Sequence, residues 1–334
     1  MTSSPQFAPF LPGNVTVRPS RICLGTCDFG TAILQEQAFE LLDLFFENGG
    51  NFIDSAHIYA SWLPEGEGAS EKTVGSWVAS RKVRDSVIIA TKGGHPPLED
   101  MSSGRCSRRE LEKDLKESLQ RLQIDCIDLF WLHRDDPGQP VEEILSALYG
   151  FQQQGLIRSY GASNWSHERL LQAQCAAMAL GVPIFCASQP GWSLADYQLP
   201  PPESRMVFMK REDIDFHTRY CFSAVPYSSQ AKGFFGGENV QWAEAGFPGQ
   251  PPRAGDYDSP DNRGKLQHCR RIAQIKGCTP NQIALACLLA HPFPVHPIIG
   301  TGNREHLLEA LGAEGITLSS DECELLRNSG SATF

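Results

Sequence analysis

The chain has 334 residues, a formal net charge of −10 and 41% hydrophobic residues. This composition is typical of a globular protein with a sizeable core, and it excludes a disordered or low-complexity chain. The acidic balance argues against nucleic acid as a partner, because binding a polyanion needs clustered Lys and Arg.

The sequence carries no signal for a membrane or an oxidising compartment. No apolar run approaches the ~20 residues of a membrane helix, and the first twenty residues lack a secretory layout. The 11 cysteines are odd in number and include no Cys-x-x-Cys. We therefore predict a cytoplasmic protein with reduced thiols and no membrane partner. The sequence leaves the oligomeric state open.

Short apolar runs alternate along the chain with longer segments of helical periodicity. From Ala38, apolar residues recur at i, i+3, i+4, i+7 and i+8, which predicts a helix packed on a sheet. Ser107 with Glu110, and Thr279 with Pro280 and Gln282, are typical of helix starts. The predicted strands are 21–25, 51–54, 87–92, 127–133, 159–163, 184–189, 222–227 and 295–300, and the predicted helices are 35–47, 70–80, 108–122, 141–154, 168–180, 203–218, 265–276, one from 280, and 304–311.

Eight strand–helix units at this length favour an α/β fold of the closed (β/α)8 TIM-barrel type over an open doubly wound sheet. We expect one domain over residues 1–334. Residues 233–264 are rich in Gly and Pro with scattered aromatic side chains, which predicts a lid-like loop within that domain.

Polar side chains close several of the apolar strands, and in a parallel barrel all strand ends share one face. Taken singly, Asp54, Tyr59 and His133 each have an ordinary explanation as a turn residue, a packed ring or a core histidine. Lys92 is less easily explained, because a buried ammonium needs a partner, and Asp54 is the nearest candidate. The strand ends also carry Ser163, Asn164, Gln189 and Tyr227.

These segments, in order over residues 20–315, resemble the aldo-keto reductase superfamily. They are Leu24-Gly25-Thr26, Asn51-Phe52-Ile53-Asp54 with Tyr59, Ala90-Thr91-Lys92, Asp128-Leu129-Phe130-Trp131-Leu132-His133, Gly161-Ala162-Ser163-Asn164-Trp165, Gln189 and Pro226-Tyr227-Ser228. The resemblance implies an eight-stranded barrel, a nicotinamide cofactor bound without a Rossmann fold, and reduction of a carbonyl substrate. The absence of G-x-G-x-x-G after the first strand agrees with it.

The resemblance also implies a catalytic tetrad of Asp54, Tyr59, Lys92 and His133. Tyr59 would give a proton to the developing alkoxide, and the neighbouring ammonium of Lys92 would lower the pKa of the phenol. Asp54 would hold Lys92 in place. His133 would donate a hydrogen bond to the substrate oxygen.

The resemblance places the cofactor along the same face. Ser163, Asn164 and Gln189 would bind the nicotinamide carboxamide, and Tyr227 would stack on its ring. The remaining expected cofactor contacts are Thr26, Cys27 and Asp54 near the centre, Ser228, Gln230 and Lys232 toward the pyrophosphate, and Gly300, Thr301, Gly302, His306 and Glu309 toward the adenosine.

The adenosine end departs from the family pattern. Many relatives carry a cation near Gly300 and at His306, and an Asn at the position of Ala310. The usual Pro-Leu after Tyr-Ser is Ser229-Gln230 here. Compensation by Arg304, or by Arg263 in the loop, would make NADP(H) favoured over NAD(H).

The expected substrate is a small-molecule carbonyl compound. We expect the side chains of Trp62, Trp131 and Trp165 to line its pocket with aromatic surface, which suits hydrophobic aldehydes and sugars. The charges of Arg134-Asp135-Asp136 either contact a polar substrate or form a solvated rim.

Other functions fit the pattern less well. A Schiff-base aldolase would use Lys92 as a nucleophile but does not need the other three residues. A glycosidase needs two apposed carboxylates, and a metal hydrolase needs more than one His, so no metal is expected. A different class stays open: some members of the superfamily are cofactor-binding, redox-sensing regulatory subunits with little turnover.

Overall fold

The computed structural model describes residue 10 and residues 17–198, 205–236 and 254–328. Its strands are β1 Cys23–Gly25, β2 Phe52–Asp54, β3 Ile88–Gly93, β4 Ile127–Leu132, β5 Ile157–Ser163, β6 Ala187–Gln189, β7 Ser223–Ala224 and β8 Ile298–Ile299. They form one parallel sheet in the order β7-β6-β5-β4-β3-β2-β1-β8.

The two ends of this sheet meet and close it. A parallel bridge joins Ala224 to Val295, and the Ile298 amide donates to the Pro226 carbonyl at 2.9 Å. The predicted (β/α)8 barrel is therefore confirmed.

Helices alternate with the strands on the outside of the barrel. Their bounds are α1 Gln35–Glu47, α2 Ala69–Arg81, α3 Arg108–Leu122, α4 Val141–Gln153, α5 His167–Leu180, α6 Arg211–Tyr220, α7 Pro260–Lys276, α8 Pro280–Leu289, α9 Arg304–Leu311 and α10 Ser320–Asn328. The predicted caps are present: the Ser107 hydroxyl accepts from the Glu110 amide, and Thr279 with Gln282 forms a full capping box. Among the described residues, no helix has the length and hydrophobicity needed to span a membrane.

The core has two layers, which follow from the period-2 alternation of the strands. On β4, Phe130 and Leu132 face the outer helices, whereas Leu129 and Trp131 face the barrel interior. Gly161 on β5 makes room for the Trp131 ring, since a Cβ there would lie 2.4 Å from Trp131 Cζ3.

The helix predicted at 203–218 is wrong at its start. It begins at Arg211, because residues before it run extended beside Gly191, whose carbonyl accepts from the Met209 amide at 2.8 Å. The Asp213 carboxylate then caps the helix by accepting from the Lys210 amide at 2.8 Å.

The predicted lid-like loop at 233–264 is shorter than expected. Its last residues belong to α7, which begins at Pro260 with the Ser259 hydroxyl as N-cap, a Ser-Pro signal of the same kind as Thr279-Pro280. Residues 237–253 of the predicted loop lie outside the described residues. At its edges, Phe234, Phe235 and Tyr257 are buried in one hydrophobic cluster.

Candidate active site

A buried ion pair lies at the carboxyl ends of β2 and β3. Lys92 and Asp54 are each only 1% exposed, and the Lys92 ammonium donates to the Asp54 carboxylate. The same Nζ donates to the Ser55 carbonyl at 2.7 Å and contacts the Tyr59 hydroxyl at 2.8 Å. Three oxygen atoms therefore surround the ammonium, which offsets the cost of burying it.

The segment after β2 holds Tyr59 over Lys92. The Ser55 amide donates to the Ala90 carbonyl at 2.9 Å, and the His57 amide donates to the Lys92 carbonyl at 3.0 Å, so this segment extends the pairing with β3. A turn follows in which Ala60 adopts φ 66°. The phenol is thereby anchored by backbone hydrogen bonds close to the strand that carries the ammonium.

His133 follows β4 and closes the set. Its amide donates to the Gly93 carbonyl at 2.8 Å, and its ring meets the Tyr59 ring edge-on with centroids 6.0 Å apart. The buried Nδ1 has no hydrogen-bond partner among the described residues. The structure thus brings all four tetrad residues together.

Burial sets the protonation of the site. Desolvation, reinforced by the negative charge of Asp54, raises the pKa of Tyr59 well above its usual value. The direction of this shift is opposite to the lowering that we expected from the Lys92 ammonium, because burial disfavours the charged phenolate. Desolvation, together with the charge of Arg134, lowers the pKa of His133 well below 6.5. At neutral pH the site holds a protonated phenol beside a neutral imidazole.

The predicted carboxamide-binding residues adjoin the tetrad. Gln189 Nε2 donates to Asp54 Oδ1 at 3.0 Å, and Asn164 Nδ2 donates to the His133 carbonyl at 3.0 Å. The Tyr227 hydroxyl donates to Asn164 Oδ1 at 2.7 Å. The Ser163 hydroxyl donates to the Gln189 carbonyl at 2.8 Å. One hydrogen-bonded cluster therefore links the amide side chains to the candidate acid.

The residues expected at the cofactor's centre and pyrophosphate lie after β1 and β7. Thr26 is fully buried and its hydroxyl donates to the Asp54 carbonyl at 3.1 Å, whereas Cys27 is half-buried. Lys232 forms an ion pair with Asp256 at 2.9 Å. Ser228 and Gln230 lie in the same half-buried segment.

At the expected adenosine end, most polar groups are already engaged. Asn303 Oδ1 accepts from the amides of Glu305 and His306 at 2.7 and 3.1 Å, so the first turn of α9 is capped by its own chain. The Glu309 carboxylate accepts from Thr279 and Asn281 and thereby supports the start of α8. Of the residues expected here, Gly300, Gly302 and His306 are exposed and Thr301 is half-buried, and a Cβ at Gly300 would meet nothing within 4 Å.

Two of the three tryptophans expected in the substrate pocket are core residues, which corrects that prediction. Trp131 is fully buried inside the barrel. Trp165 is 3% exposed in the outer layer, where it packs edge-on against Phe185 with centroids 5.2 Å apart. Trp62, in contrast, is 42% exposed in the loop after Tyr59.

Sequence reasoning missed two groups at the site. His95 is buried beside His133, with ring centroids 4.7 Å apart, and desolvation lowers its pKa to about 4. Ser70 at the start of α2 lies 2.8 Å from both the Thr26 and the Ser55 hydroxyls, tying α2 to the strand ends. His95 could have been found from the sequence, because it lies only three residues after Lys92, just beyond the end of the same strand. The sequence around Ser70 contains no pattern that predicts its position at the site.

The chain belongs to the aldo/keto reductase family, whose model matches residues 21–330. It is 30% identical to norsolorinic acid reductase of Aspergillus flavus, over 93% of this chain and 78% of that protein. It is 28% identical to a putative aryl-alcohol dehydrogenase of Saccharomyces cerevisiae, over 93% of this chain and 83% of that one.

Solved structures share the fold. A thermostable aldo-keto reductase crystallised with the inhibitor epalrestat superimposes with a TM-score of 0.71 at 26% identity, covering 95% of this chain and 98% of that one. An aldo-keto reductase from Klebsiella pneumoniae, in complex with NADPH, superimposes with a TM-score of 0.70 at 21% identity, covering 97% and 94%. At that identity the second match bears on the fold alone.

Proposed function

We propose that this protein reduces an aldehyde or ketone to an alcohol with NADP(H), and that Tyr59 is the general acid. The observation that carries the proposal is the Tyr59 hydroxyl 2.8 Å from the fully buried Lys92 ammonium, which is itself paired with Asp54. A buried phenol with a fixed cation beside it is suited to giving up a proton and to stabilising the phenolate that results.

The amide cluster fits a nicotinamide. Ser163, Asn164 and Gln189 present hydroxyl and amide groups next to the tetrad, and a primary carboxamide needs both donors and acceptors. The half-buried ring of Tyr227 would support the nicotinamide ring from the side of β7. When bound, the cofactor supplies a hydride to the carbonyl carbon.

The chain's own residues then handle the proton. The substrate oxygen would accept hydrogen bonds from the Tyr59 hydroxyl and from the neutral His133 imidazole. As negative charge grows on that oxygen, the Tyr59 proton passes to it, and the Lys92 ammonium stabilises the phenolate. Tyr59 is protonated at neutral pH, which is the form that can give a proton to the substrate oxygen.

The preference for NADP(H) rests on Arg304, which begins α9 and is 58% exposed, 3.6 Å from Glu40. An exposed guanidinium beside the expected adenosine site would bind a 2′-phosphate. The name of one relative, a putative aryl-alcohol dehydrogenase, together with exposed Trp62, favours an aromatic carbonyl substrate over a sugar.

The test is oxidation of NADPH and NADH by purified protein, followed optically with a panel of aryl aldehydes, alkyl aldehydes, aryl ketones and keto-sugars. We expect turnover with aryl aldehydes and a higher kcat/KM for NADPH. Tight NADPH binding without turnover of any panel member would contradict the reductase and favour a redox-sensing subunit.

A further inference from the structure

Arg134 is a cation at the candidate active site that has no acidic partner among the described residues. It directly follows His133, and its Nη1 donates to the His133 carbonyl at 2.9 Å. Its Nε is buried and makes no hydrogen bond within the part of the chain that the structure describes. A desolvated guanidinium that keeps unused donors is costly unless a ligand completes it.

The nearby arginines show the contrast. Arg105 pairs with Asp114 at 2.9 Å, and Arg169 pairs with Asp135 at 3.2 Å. The Asp135 carboxylate is therefore taken by Arg169. The neighbouring Asp136 carboxylate accepts from the Cys106 amide at 3.2 Å. Neither acid that follows Arg134 in sequence serves as its counter-ion.

A hydrogen-bond acceptor shared with Asn164 fixes the position of the Arg134 guanidinium. The His133 carbonyl accepts from both Arg134 and Asn164, and Asn164 in turn accepts from the Tyr227 hydroxyl. The guanidinium therefore lies in the cluster that connects the candidate acid to the amide groups. Consistent with this, burial raises the pKa of both Tyr59 and Tyr227, and the charge of Arg134 opposes part of that rise in each case.

We propose that Arg134 binds an anionic group of the substrate, so that the preferred substrates are carbonyl compounds that carry a carboxylate. A guanidinium offers several N–H donors in a planar fork that matches a carboxylate. The location beside Asn164 and Tyr227 assigns this anion to the substrate end of the site rather than to the cofactor phosphates. The proposal rests on the reductase function above.

The test compares 2-, 3- and 4-carboxybenzaldehyde with their neutral methyl esters, using NADPH and three proteins: the unmodified chain, Arg134→Met and Arg205→Gln. The measured quantity is the ratio of kcat/KM for each acid to kcat/KM for its ester. Any loss of Tyr59 acidity in Arg134→Met affects acid and ester alike and cancels in the ratio.

Arg205 is the matched control, because it donates to the carbonyls of Ser102 and Asp135 and has the same formal charge. We expect the unmodified chain to prefer at least one acid isomer, and Arg134→Met to lower that ratio about tenfold to hundredfold. Arg205→Gln should keep the ratio, which separates a direct contact from general attraction of anions.

Equal ratios in all three proteins, or equal losses in both variants, would overturn the proposal while leaving the reductase intact. A binding measurement covers the case of no turnover: titration of the protein with NADP⁺ and 4-(hydroxymethyl)benzoate or its methyl ester. Carboxylate binding that requires Arg134 would support the anion site even if the reductase fails. Loss of NADP⁺ affinity in Arg134→Met would instead assign the residue to the cofactor and overturn the proposal.

Discussion

Tyr59 is the residue on which the proposed chemistry depends. Tyr59→Phe removes only the hydroxyl that contacts Lys92. We expect kcat to fall about 10²- to 10⁴-fold, because a positioned general acid contributes a factor of that size. NADPH affinity, measured by fluorescence quenching, should stay unchanged.

Tyr160→Phe is the control for this prediction. Tyr160 is also a buried tyrosine, but its hydroxyl donates to the Pro183 carbonyl behind β5 and not to the tetrad. The Tyr160→Phe variant should therefore keep the kcat of the unmodified chain. Full activity of Tyr59→Phe with an aryl aldehyde would exclude the acid role.

The ion pair of Lys92 and Asp54 also has a structural consequence. Asp54→Asn leaves the buried ammonium without its counter-ion, and breaking such a pair costs about 3–5 kcal/mol of unfolding free energy. The double variant Asp54→Asn/Lys92→Met should lose less than the single variant, because no uncompensated charge remains buried. Urea unfolding measures both.

The exposed pair Arg263 and Asp258 provides the comparison, since both side chains are largely accessible. Arg263→Met should leave the urea midpoint unchanged, because solvent screens surface pairs. A loss in Asp54→Asn no larger than this control would mean that the buried pair contributes nothing to folding.

The packing between β4 and β5 depends on a glycine, Gly161, which leaves space for the Trp131 ring. In Gly161→Ala, the new Cβ meets Trp131 at 2.4 Å and the Ala187 carbonyl at 2.8 Å. Neither the tryptophan, fully buried in the barrel, nor the backbone has room to move. We expect a loss of about 1–3 kcal/mol in unfolding free energy, the usual cost of overpacking.

Gly315→Ala is the matched control, because a Cβ at that position meets nothing within 4 Å. It should be neutral in the same denaturation experiment. Equal stability of the two variants would mean that Trp131 has an alternative rotamer inside the barrel.

At the scale of helices and strands, apolar periodicity and cap residues together predicted the helix bounds. The helices 35–47, 108–122 and 304–311 match α1, α3 and α9 residue for residue. Most strands are shorter than predicted, most clearly β7 and β8, which keep only Ser223–Ala224 of 222–227 and Ile298–Ile299 of 295–300. In contrast, β3 has its predicted length, and β5 begins two residues before its predicted start. An apolar run marks burial, whereas strand bounds depend on which neighbouring backbone completes the ladder.

For the whole molecule, buried histidines predict how stability depends on pH. Burial lowers the pKa of His217 and of His296 from 6.5 to about 4. Between these values the unfolded chain binds protons that the folded chain does not, so acidification favours unfolding. The stability that these groups contribute is present above pH ~6.5 and is lost as pH falls toward 4.

We therefore expect the urea midpoint to drop between pH 7 and pH 5. His296→Gln should make this drop smaller, because one titrating group is removed. Exposed His306 is the control, and His306→Gln should leave the pH dependence as it is. A midpoint that does not change over this range would contradict the prediction.

The sequence alone determined the alternation of strands and helices and the residue types at the strand ends. The alternation predicted the barrel, in which parallel strands bring their carboxyl ends to a common face. The tetrad followed from the resemblance of the segments at those ends to the aldo-keto reductase superfamily. Periodicity and caps depend on residues that are close in the sequence, so helices and strands can be predicted from the sequence directly.

Only the tertiary structure decided what surrounds each group. It showed that Trp131 and Trp165 are core residues, that burial is the largest influence on the pKa of Tyr59 and raises it, and that Arg134 lacks a counter-ion among the described residues. Burial and ion pairing depend on atoms from distant segments. The same side chain therefore has a different charge, partner and accessibility according to the neighbours that folding supplies.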